Sequence, residues 1–382
     1  MVYEKRRVGQ TMNTNKNILL LGGTGAMGVA LTRILAEQGY NVFVTSRKKK
    51  SEETERIHYY QGNAHEIGFI TTVLQDRPWD AVVDFMSYST RSFEERLELL
   101  LGNTAQYVYI SSARVYAESD DRITEESDRL LDVSTDSEYL QTDEYALAKA
   151  RQENMLFQSE KTNWTIIRPS VTYNSNRLQL GVLEKEHWLY RALHGRTIVF
   201  SEDIGSKLTA LTSGVDVANG IAAIIGEEGA LRKCFHITDS NSYTWNAILE
   251  LYLDIIQELT GKRPNVKMTE TTSCFDIGWN KYQIIYCRYY NRTFDNSAIA
   301  QYIDIDRFLD IRSGLKEAIK EFLDKPSYGA LNWRLEAIND KICRERTALS
   351  EVGSVKGKLQ YCLYRYLPTR FVNRVFSIVK KH

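Results

Sequence analysis

NILLLGGTGAMG, at residues 17–28, is the stretch that decides the fold. A short aliphatic run leads into a glycine turn, and the following VALTRILAEQG has the apolar spacing of a helix that ends at a glycine. Gly22 can make a tight turn, Gly25 lets the backbone approach a pyrophosphate, and Gly28 permits close helix packing. Because free N–H groups at a helix start favour an anion, the order of strand, turn and helix predicts a dinucleotide site.

Outward from this turn, short apolar runs alternate with longer segments of helical period, which is typical of a parallel sheet covered by helices. Strands are predicted at 17–21, 41–45, 80–85, 106–111, 164–168 and 234–238. Helices are predicted at 26–38, 66–76, 91–101, 143–159, 183–194, 214–227 and 244–260. The expected fold is α/β, a Rossmann-type doubly wound parallel sheet with a smaller C-terminal α+β substrate domain and a basic helical tail.

The pattern becomes less regular after Pro169, which places the domain boundary nearby. The predicted organisation is a disordered leader at 1–16, a dinucleotide-binding domain at 17–172 to which 205–238 returns, a substrate-binding domain at 173–204 and 239–330, and a basic amphipathic extension at 331–382.

Composition narrows the function classes. Of 382 residues, 43% are hydrophobic, and the 49 Lys and Arg balance the 49 Asp and Glu, so the net charge does not call for nucleic acid. The cysteines are odd in number and form no CxxC pair, which argues against disulfides or zinc and favours the reducing cytoplasm. No apolar stretch approaches the ~20 residues that span a bilayer, and no residues have metal-ligand spacing.

Two segments have unusual charge. Residues 118–138 carry nine acidic and two basic side chains, which predicts an exposed loop that is either merely solvated or a mobile lid. Residues 355–382 carry seven Lys or Arg and no acid, interleaved with apolar residues. Such a basic amphipathic segment can lie on the inner face of an anionic membrane. The alternative is a helix docked on its own protein or on a second subunit.

The end of the second predicted strand bears on the choice of cofactor. A carboxylate there would accept from the ribose 2′-hydroxyl of NAD, but the residues are Ser46, Arg47 and Lys48. Because Arg47 can pair with a 2′-phosphate, NADP is favoured and NAD stays possible. The alternative is that the basic run at 48–50 is a solvated surface.

Tyr145 and Lys149 are four residues apart in a predicted helix, so both side chains lie on one face. An ammonium beside a phenol favours the phenolate, which makes the tyrosine a usable acid or base. The predicted strand at 106–111 runs into Ser112, and open α/β sheets build their sites at the carboxyl ends of strands. The sequence therefore predicts a catalytic set of Ser112, Tyr145 and Lys149.

Together the glycine turn, SSARVY at 111–116 and YALAK at 145–149 resemble the extended and atypical short-chain dehydrogenase/reductases, the NAD-dependent epimerase/dehydratase group, over residues 17–325. RPSVTYN at 168–174 is similar to the family's loop for nicotinamide and substrate. The resemblance implies that the chain binds cofactor through Gly22, Thr24, Gly25, Ala26, Met27, Gly28, Ser46, Arg47, Asn63, Phe85, Ser111, Tyr145, Lys149 and Pro169. It implies that substrate contacts Ala113, Tyr173, Asn174, Arg177 and Arg292, the last through a diphosphate.

One departure from the family argues against sugar dehydration. Family dehydratases place an Asp-Glu pair directly after the catalytic hydroxyl, whereas this chain has Ala113-Arg114. The expected function is therefore an NAD(P)-dependent reductase or epimerase of a nucleotide-activated sugar, with a homodimer left open as its assembly and with no DNA partner. The alternative is a non-catalytic NADP-binding sensor or scaffold, or an RNA-binding protein of the atypical branch, because fold does not decide function.

Overall fold

A computed structural model of the chain describes residues 15–50, 54–272, 281–369 and 371–373. All but the last two positions of the predicted leader, and residues 370 and 374–382 of the tail, lie outside the described residues. Contacts between residues divide the chain into two compact units. The first unit comprises 15–50, 54–176, 208–243 and 290–315, and the second comprises 177–207, 244–272, 281–289, 316–369 and 371–373.

The strands, in chain order, are β1 (Asn17–Leu21), β2 (Asn41–Ser46), β3 (Ile57–Gln61), β4 (Ala81–Asp84), β5 (Tyr107–Ile110), β6 (Trp164–Ile167), β7 (Val171–Tyr173), β8 (Gln179–Leu180), β9 (Leu183–Glu184), β10 (Ile198–Ser201), β11 (Leu208–Thr209), β12 (Leu211–Ser213), β13 (Lys233–Phe235), β14 (Tyr243–Thr244) and β15 (Val266–Thr269). The α-helices are α1 (Ala26–Glu37), α2 (Ile67–Gln75), α3 (Thr90–Glu94), α4 (Leu97–Gly102), α5 (Leu130–Val133), α6 (Ser137–Leu140), α7 (Tyr145–Gln158), α8 (Leu189–Leu193), α9 (Glu202–Gly205), α10 (Gly214–Ile224), α11 (Trp245–Thr260), α12 (Lys281–Gln283), α13 (Ile311–Asp324), α14 (Trp333–Cys343) and α15 (Val355–Tyr366).

A seven-stranded sheet forms the centre of the first unit, in the order β13-β6-β5-β4-β1-β2-β3. Every neighbouring pair is parallel, so the predicted Rossmann-type sheet is confirmed. Leu21 at the end of β1 is in register with Asp84 at the end of β4. Since β1 has β2 on one side and β4 on the other, the strand order reverses there, and a crevice opens at the carboxyl ends of these strands.

The alternation of side chains along β1 explains why helices cover both faces of this sheet. Ile18 and Leu20 belong to the core cluster that includes Leu31 of α1 and Ile221 of α10. Leu19 and Leu21 belong to the opposite cluster, which includes Phe93 and Leu156. Strands buried on both faces read as continuous apolar runs, as NILLL does.

Several elements differ from the sequence-based prediction. β3 was not predicted, because IHYYQ is a half-exposed edge strand without a clear apolar run. The helix predicted at 91–101 is two short helices, α3 and α4, separated by Arg96, whose guanidinium donates to the His65 carbonyl at 3.1 Å. The helix predicted at 183–194 shortens to α8, because residues 183–184 pair in the β8–β9 hairpin.

The acidic stretch is more ordered than predicted. It contains the one-turn helices α5 and part of α6, and it buries Ile123 and Leu130 almost completely. Ile123 forms a bridge with Phe294, and both pack in a small core cluster with Val115 and Tyr116. The prediction of an exposed loop was wrong for these positions because the few apolar residues of the stretch face the protein.

Two boundaries also differ from the predicted organisation. Residues 290–315, which the sequence placed in the substrate domain, group with the first unit because Phe294 and Ile299 pack in its clusters. The described part of 331–382 groups with the second unit, where Tyr361 and Tyr364 of α15 pack on Ala337 of α14.

Candidate active site

The glycine turn has the geometry that close packing requires. Gly22 has a φ of 70°, and a Cβ there would lie 2.6 Å from the Met86 sulfur. A Cβ at Gly28 would lie 2.5 Å from the Gly23 carbonyl oxygen, so only glycine lets α1 approach the turn this closely. At Gly25, by contrast, no described atom lies within 4 Å of a Cβ position. The start of α1 is therefore open to a ligand, and its first turn carries no acidic residue that would repel a pyrophosphate.

Thr24, Ala26 and Met27 complete this turn. The Thr24 N–H donates to the Gly22 carbonyl at 2.8 Å, and α1 begins at Ala26. Met27 is partly buried against the core cluster below α1. These contacts close the turn upon itself, and the first N–H groups of α1 have no carbonyl partner within the helix.

The carboxyl end of β2 presents a basic rim. Thr45 accepts a hydrogen bond from the Gly22 N–H at 2.9 Å, which ties this strand to the glycine turn. Ser46 is buried and its hydroxyl donates to the Lys48 carbonyl at 2.8 Å. Arg47 is exposed, and residues 41–50 contain no carboxylate. The arrangement suits a 2′-phosphate, because the cation is exposed and residues 41–50 bring no negative charge to this rim.

Phe85 and Asn63 follow the ends of β4 and β3. The Phe85 N–H donates to the Leu21 carbonyl at 3.0 Å, so this residue lies at the strand reversal beside the glycine turn. Asn63 folds back on its own loop and accepts from the His65 N–H at 3.2 Å. The structure thus brings Phe85 to the crevice, whereas the Asn63 amide serves a local turn.

Lys149 is buried beneath the crevice, at 3% exposure. Its ammonium donates to the Ile110 carbonyl at 2.7 Å and lies 4.5 Å from the centre of the Tyr109 ring. Burial lowers the pKa of Lys149 to about 8, against the opposing charges of Asp84 and Glu153. A desolvated ammonium at this position can exert its field on a neighbouring group with little screening.

Tyr145 is that neighbour. It is the first residue of α7, it is 39% exposed, and its ring centre lies 5.9 Å from the Lys149 ammonium. The Arg114 guanidinium lies 5.2 Å from the same ring and pairs with Glu144 at 2.5 Å. Tyr145 is therefore open to a substrate on one side and has two cationic groups nearby.

Ser112 follows β5, where the chain enters a 3₁₀ turn at Ala113–Val115. Its Oγ accepts from the Arg114 N–H at 3.2 Å. The Ala113 N–H donates to the Pro169 carbonyl at 2.9 Å, which joins this turn to the end of β6. The turn therefore holds Ser112 beside the same crevice, and the methyl group of Ala113 supplies no acid for dehydration.

Ser111 points away from the crevice. Its hydroxyl donates to Glu153 at 2.6 Å, and Glu153 is fully buried. Arg168 binds both Glu153 oxygens at 2.8 Å, and Arg129 donates to the same carboxylate at 3.1 Å. This ion network, absent from the sequence-based prediction, holds α7 against the ends of β5 and β6 and so positions Tyr145 and Lys149.

Asp84 is a further buried group that the sequence did not single out. It accepts from the Tyr107 hydroxyl at 2.8 Å and from the Met86 N–H at 2.9 Å. Burial raises its pKa, and the charge of Lys149 opposes that shift. A polar residue ending the apolar run DAVVD was the available signal.

On the substrate side, Tyr173 is buried at the end of β7, and its hydroxyl has no hydrogen-bond partner among the described residues. Asn174 accepts from the Asn176 N–H at 2.9 Å in a local turn. Arg292 is buried and donates to the Tyr116 and Ala117 carbonyls at 2.9 and 2.7 Å, so its guanidinium holds the loop after β5. Arg177 belongs to the second unit, where it faces Glu184 at 3.6 Å.

Neither a metal centre nor a membrane span is apparent in the described ranges. No group of three or more His, Cys, Asp or Glu side chains in these ranges could hold a metal ion. None of the described helices combines the length and apolar character needed to cross a bilayer.

Comparison with known proteins places these features in a family. The sequence model of the NAD dependent epimerase/dehydratase family matches residues 18–231. A curated relative, the chloroplast stem-loop binding protein of 41 kDa b from Arabidopsis thaliana, is 26% identical over 268 residues, which are 65% of this chain and 67% of that protein.

Solved structures share the fold. An epimerase from Methanothermobacter thermautotrophicus is 18% identical with a TM-score of 0.63, covering 81% of this chain and 93% of that one. The dTDP-glucose 4,6-dehydratase of Bacillus anthracis, in complex with NAD, is 15% identical with a TM-score of 0.61, covering 81% and 97%. The UDP-glucuronic acid 4-epimerase of Bacillus cereus, in complex with UDP-glucuronic acid and NAD, is 15% identical with a TM-score of 0.60, covering 81% and 99%.

Proposed function

We propose that this chain, which belongs to the NAD dependent epimerase/dehydratase family, is an NADP-dependent reductase or epimerase of a nucleotide-activated sugar. The observation that carries the proposal is the buried Lys149 ammonium, 5.9 Å from the ring of the partly exposed Tyr145, below the crevice that the glycine turn borders. A module that only binds dinucleotide has no need of a desolvated cation beside an accessible phenol.

Each residue of the set has a separate role in this proposal. The bound nicotinamide would supply or accept a hydride at a sugar carbon. Tyr145 donates a proton to the sugar oxygen during reduction and removes it during oxidation. Ser112 hydrogen-bonds the same oxygen, and Lys149 stabilises the phenolate that the proton transfer leaves.

Reduction and epimerisation both fit this set, because reduction moves one hydride and one proton to the sugar, and epimerisation removes the pair and then returns it to the other face. Dehydration fits less well, since Ala113 has no acidic group and Arg114 is engaged by Glu144 and the Tyr145 ring. Arg47 at the rim supports NADP, which cells keep reduced and use for reductions. Two of the solved structures that share this fold contain NAD.

The sugar nucleotide is inferred from relatives, among them the epimerase solved with UDP-glucuronic acid. Ala113, Tyr173 and Asn174 would contact the sugar, and Arg292 the diphosphate. For Arg292 this requires its guanidinium to leave the two carbonyls to which it donates. The expected compartment is the cytoplasm.

The test has two steps. NADP and NAD are titrated into the purified chain by calorimetry, and turnover of a panel of UDP and dTDP sugars is then followed by nicotinamide absorbance and product analysis. The Tyr145→Phe variant is expected to retain cofactor affinity and to lose turnover by about 10²-fold or more. Full turnover by Tyr145→Phe would refute the mechanism, and absence of dinucleotide binding would refute the proposal.

A second function is supported by one observation, the name of the Arabidopsis relative, which is a stem-loop binding protein. The chain would then bind RNA hairpins, with NADP as a regulatory ligand. Titration of labelled hairpin RNA with and without NADP tests this directly. Hairpin binding in Tyr145→Phe, together with no turnover of any sugar by the wild type, would favour this second function.

A further inference from the structure

The helix α15 (Val355–Tyr366) has two apolar faces, and one of them packs against the rest of the second unit. Gly357, Tyr361 and Tyr364 are buried, and the two tyrosines pack in a cluster with Ala337 of α14. Val355, Leu359 and Tyr366 project from the opposite side, because positions spaced by four and seven residues share a helix face.

This second face is unlike the rest of the described surface. Its large apolar side chains are 58% to 85% exposed, and Phe371, five residues after the end of the helix, is 58% exposed. No other large apolar side chain in the described ranges is more than 46% exposed. The four most exposed large apolar side chains among the described residues therefore all fall within residues 355–371 of the sequence.

Basic residues flank this apolar face on both sides. On a helical wheel, Lys356 lies on one flank, while Lys358 and Arg365 lie on the other. In sequence, residues 355–382 carry seven Lys or Arg and no acid, although the whole chain is neutral at 49 against 49. An apolar face bordered by cations is the pattern of a helix that lies in a membrane interface.

The helix is also held rigidly. The Tyr361 hydroxyl donates to Asp340 at 2.6 Å, and the Tyr364 hydroxyl donates to Asn373 at 2.9 Å. Asp340 in turn binds Arg191 of α8 at 2.9 Å. The exposed face is therefore presented by a folded unit and does not need to order itself on binding, which reduces the entropic cost of docking.

We propose that Val355, Leu359, Tyr366 and Phe371, with Lys356 and Lys358, form a docking surface for an anionic lipid membrane. The charge argues against a second copy of the chain, because a two-fold interface would set this basic patch against itself. The apolar side chains argue against RNA, because phosphate contacts need cations but leave Val355 and Leu359 in water. The proposal is independent of the proposed function.

The test is co-sedimentation of the full chain with mixed phosphatidylglycerol–phosphatidylcholine vesicles and with phosphatidylcholine vesicles. The wild type is expected to pellet with the mixed vesicles and to stay in solution with neutral ones. Leu359→Glu should lower the partition coefficient at least about tenfold, since it removes one apolar side chain that the membrane would bury. Lys356→Glu with Lys358→Glu should lower it at least about 25-fold, since each cation near an anionic surface contributes about fivefold.

The matched control is Val133→Glu, which makes the same kind of substitution at an exposed apolar residue of the first unit, 46% exposed. This variant should pellet like the wild type, and all variants should keep the thermal unfolding and cofactor titration of the wild type. Equal pelleting of wild type and Leu359→Glu would overturn the proposal. It would also be overturned if Leu359→Glu dissociated a dimer in sedimentation velocity, or if the wild type bound hairpin RNA through these lysines and ignored the mixed vesicles.

Discussion

The two units each contain a buried ion network, and the networks are built in opposite ways. In the first unit one carboxylate, Glu153, is shared by Arg168 and Arg129. In the second unit one guanidinium, Arg191, is shared by three carboxylates, Glu336, Asp340 and Glu345. Glu153 and Arg191 are both fully buried, so each network depends on a single central charge.

The difference lies in which elements each network holds together. The Glu153 network joins α7, with Tyr145 and Lys149, to the ends of β5 and β6. The Arg191 network joins α8 to α14 and, through the Tyr361 hydroxyl on Asp340, to α15. The first should therefore affect both stability and chemistry, and the second should affect stability and the docking surface alone.

The largest effect is expected for Glu153→Gln. It leaves the buried Arg168 guanidinium without its carboxylate, while Arg129 keeps Asp132 at 2.7 Å. Breaking a buried pair of this kind costs about 3–5 kcal/mol of unfolding free energy. Because α7 is then less firmly held, turnover should fall while cofactor affinity changes little. Denaturant unfolding and steady-state kinetics measure the two effects.

The control for Glu153→Gln is Glu98→Gln. Glu98 pairs with Lys161 at 3.1 Å but its side chain is 75% exposed, so its loss should cost less than about 1 kcal/mol. Equal losses for the two variants would show that the buried network contributes nothing of its own.

For Arg191→Met the unfolding free energy is expected to fall by about 3 kcal/mol, somewhat less than for Glu153→Gln. Its carboxylates keep other partners, since Glu336 faces Arg196 at 3.2 Å and Asp340 accepts from Thr347 at 2.8 Å. The difference in unfolding free energy from the wild type should shrink as the pH is lowered, because protonation neutralises the carboxylates that have lost Arg191. Turnover should be unchanged, and vesicle pelleting should weaken as α15 loosens.

Arg263→Met is the matched variant for Arg191→Met. Arg263 also pairs with two carboxylates, Glu250 and Asp254, but its side chain is 38% exposed. Its loss should therefore be hardly measurable by chemical denaturation. A deficit as large as that of Arg191→Met would contradict the role assigned to burial.

Lys149→Met, unlike the variants above, should raise the unfolding free energy at neutral pH. Burial lowers the pKa of Lys149 from 10.5 to about 8, so the folded state binds the proton less tightly than the unfolded chain. The wild type then carries a cost below pH 8, which disappears as the pH rises from about 8 to 10.5. The variant should be more stable by about 2 kcal/mol at pH 7, after the lost hydrogen bond to Ile110 is allowed for.

Thermal unfolding of Lys149→Met at pH 7 and pH 10 tests this, with Lys161→Met as the reference, because the Lys161 side chain is 42% exposed. A gain at pH 7 that is absent at pH 10, combined with loss of turnover, would mark Lys149 as a residue kept for chemistry at the expense of stability. An equal change at both pH values would show that the ammonium carries no burial cost.

What could be predicted from the sequence was local. The glycine turn and the four-residue spacing of Tyr145 and Lys149 lie within single elements, so their geometry follows from strand and helix periods. Ser111 pointing to Glu153 could not be foreseen, because it depends on which face of β5 meets α7. The grouping of residues 290–315 with the first unit could not be foreseen either, since the bridge between Ile123 and Phe294 joins segments far apart in the chain.

The smallest effect is expected at Arg47, the cation that contrasts most with the buried arginines. It is exposed at the end of β2, so Arg47→Ala should leave the unfolding free energy within about 0.5 kcal/mol of the wild type. Its contribution arises only when a 2′-phosphate is present, and the dissociation constant for NADP should rise about tenfold while that for NAD stays constant. Lys49→Ala, an exposed lysine two residues further on, is the control in the same calorimetric titrations. If both cofactors weakened equally, Arg47 would contact a group that they share, and the preference for NADP would have to come from elsewhere in the crevice.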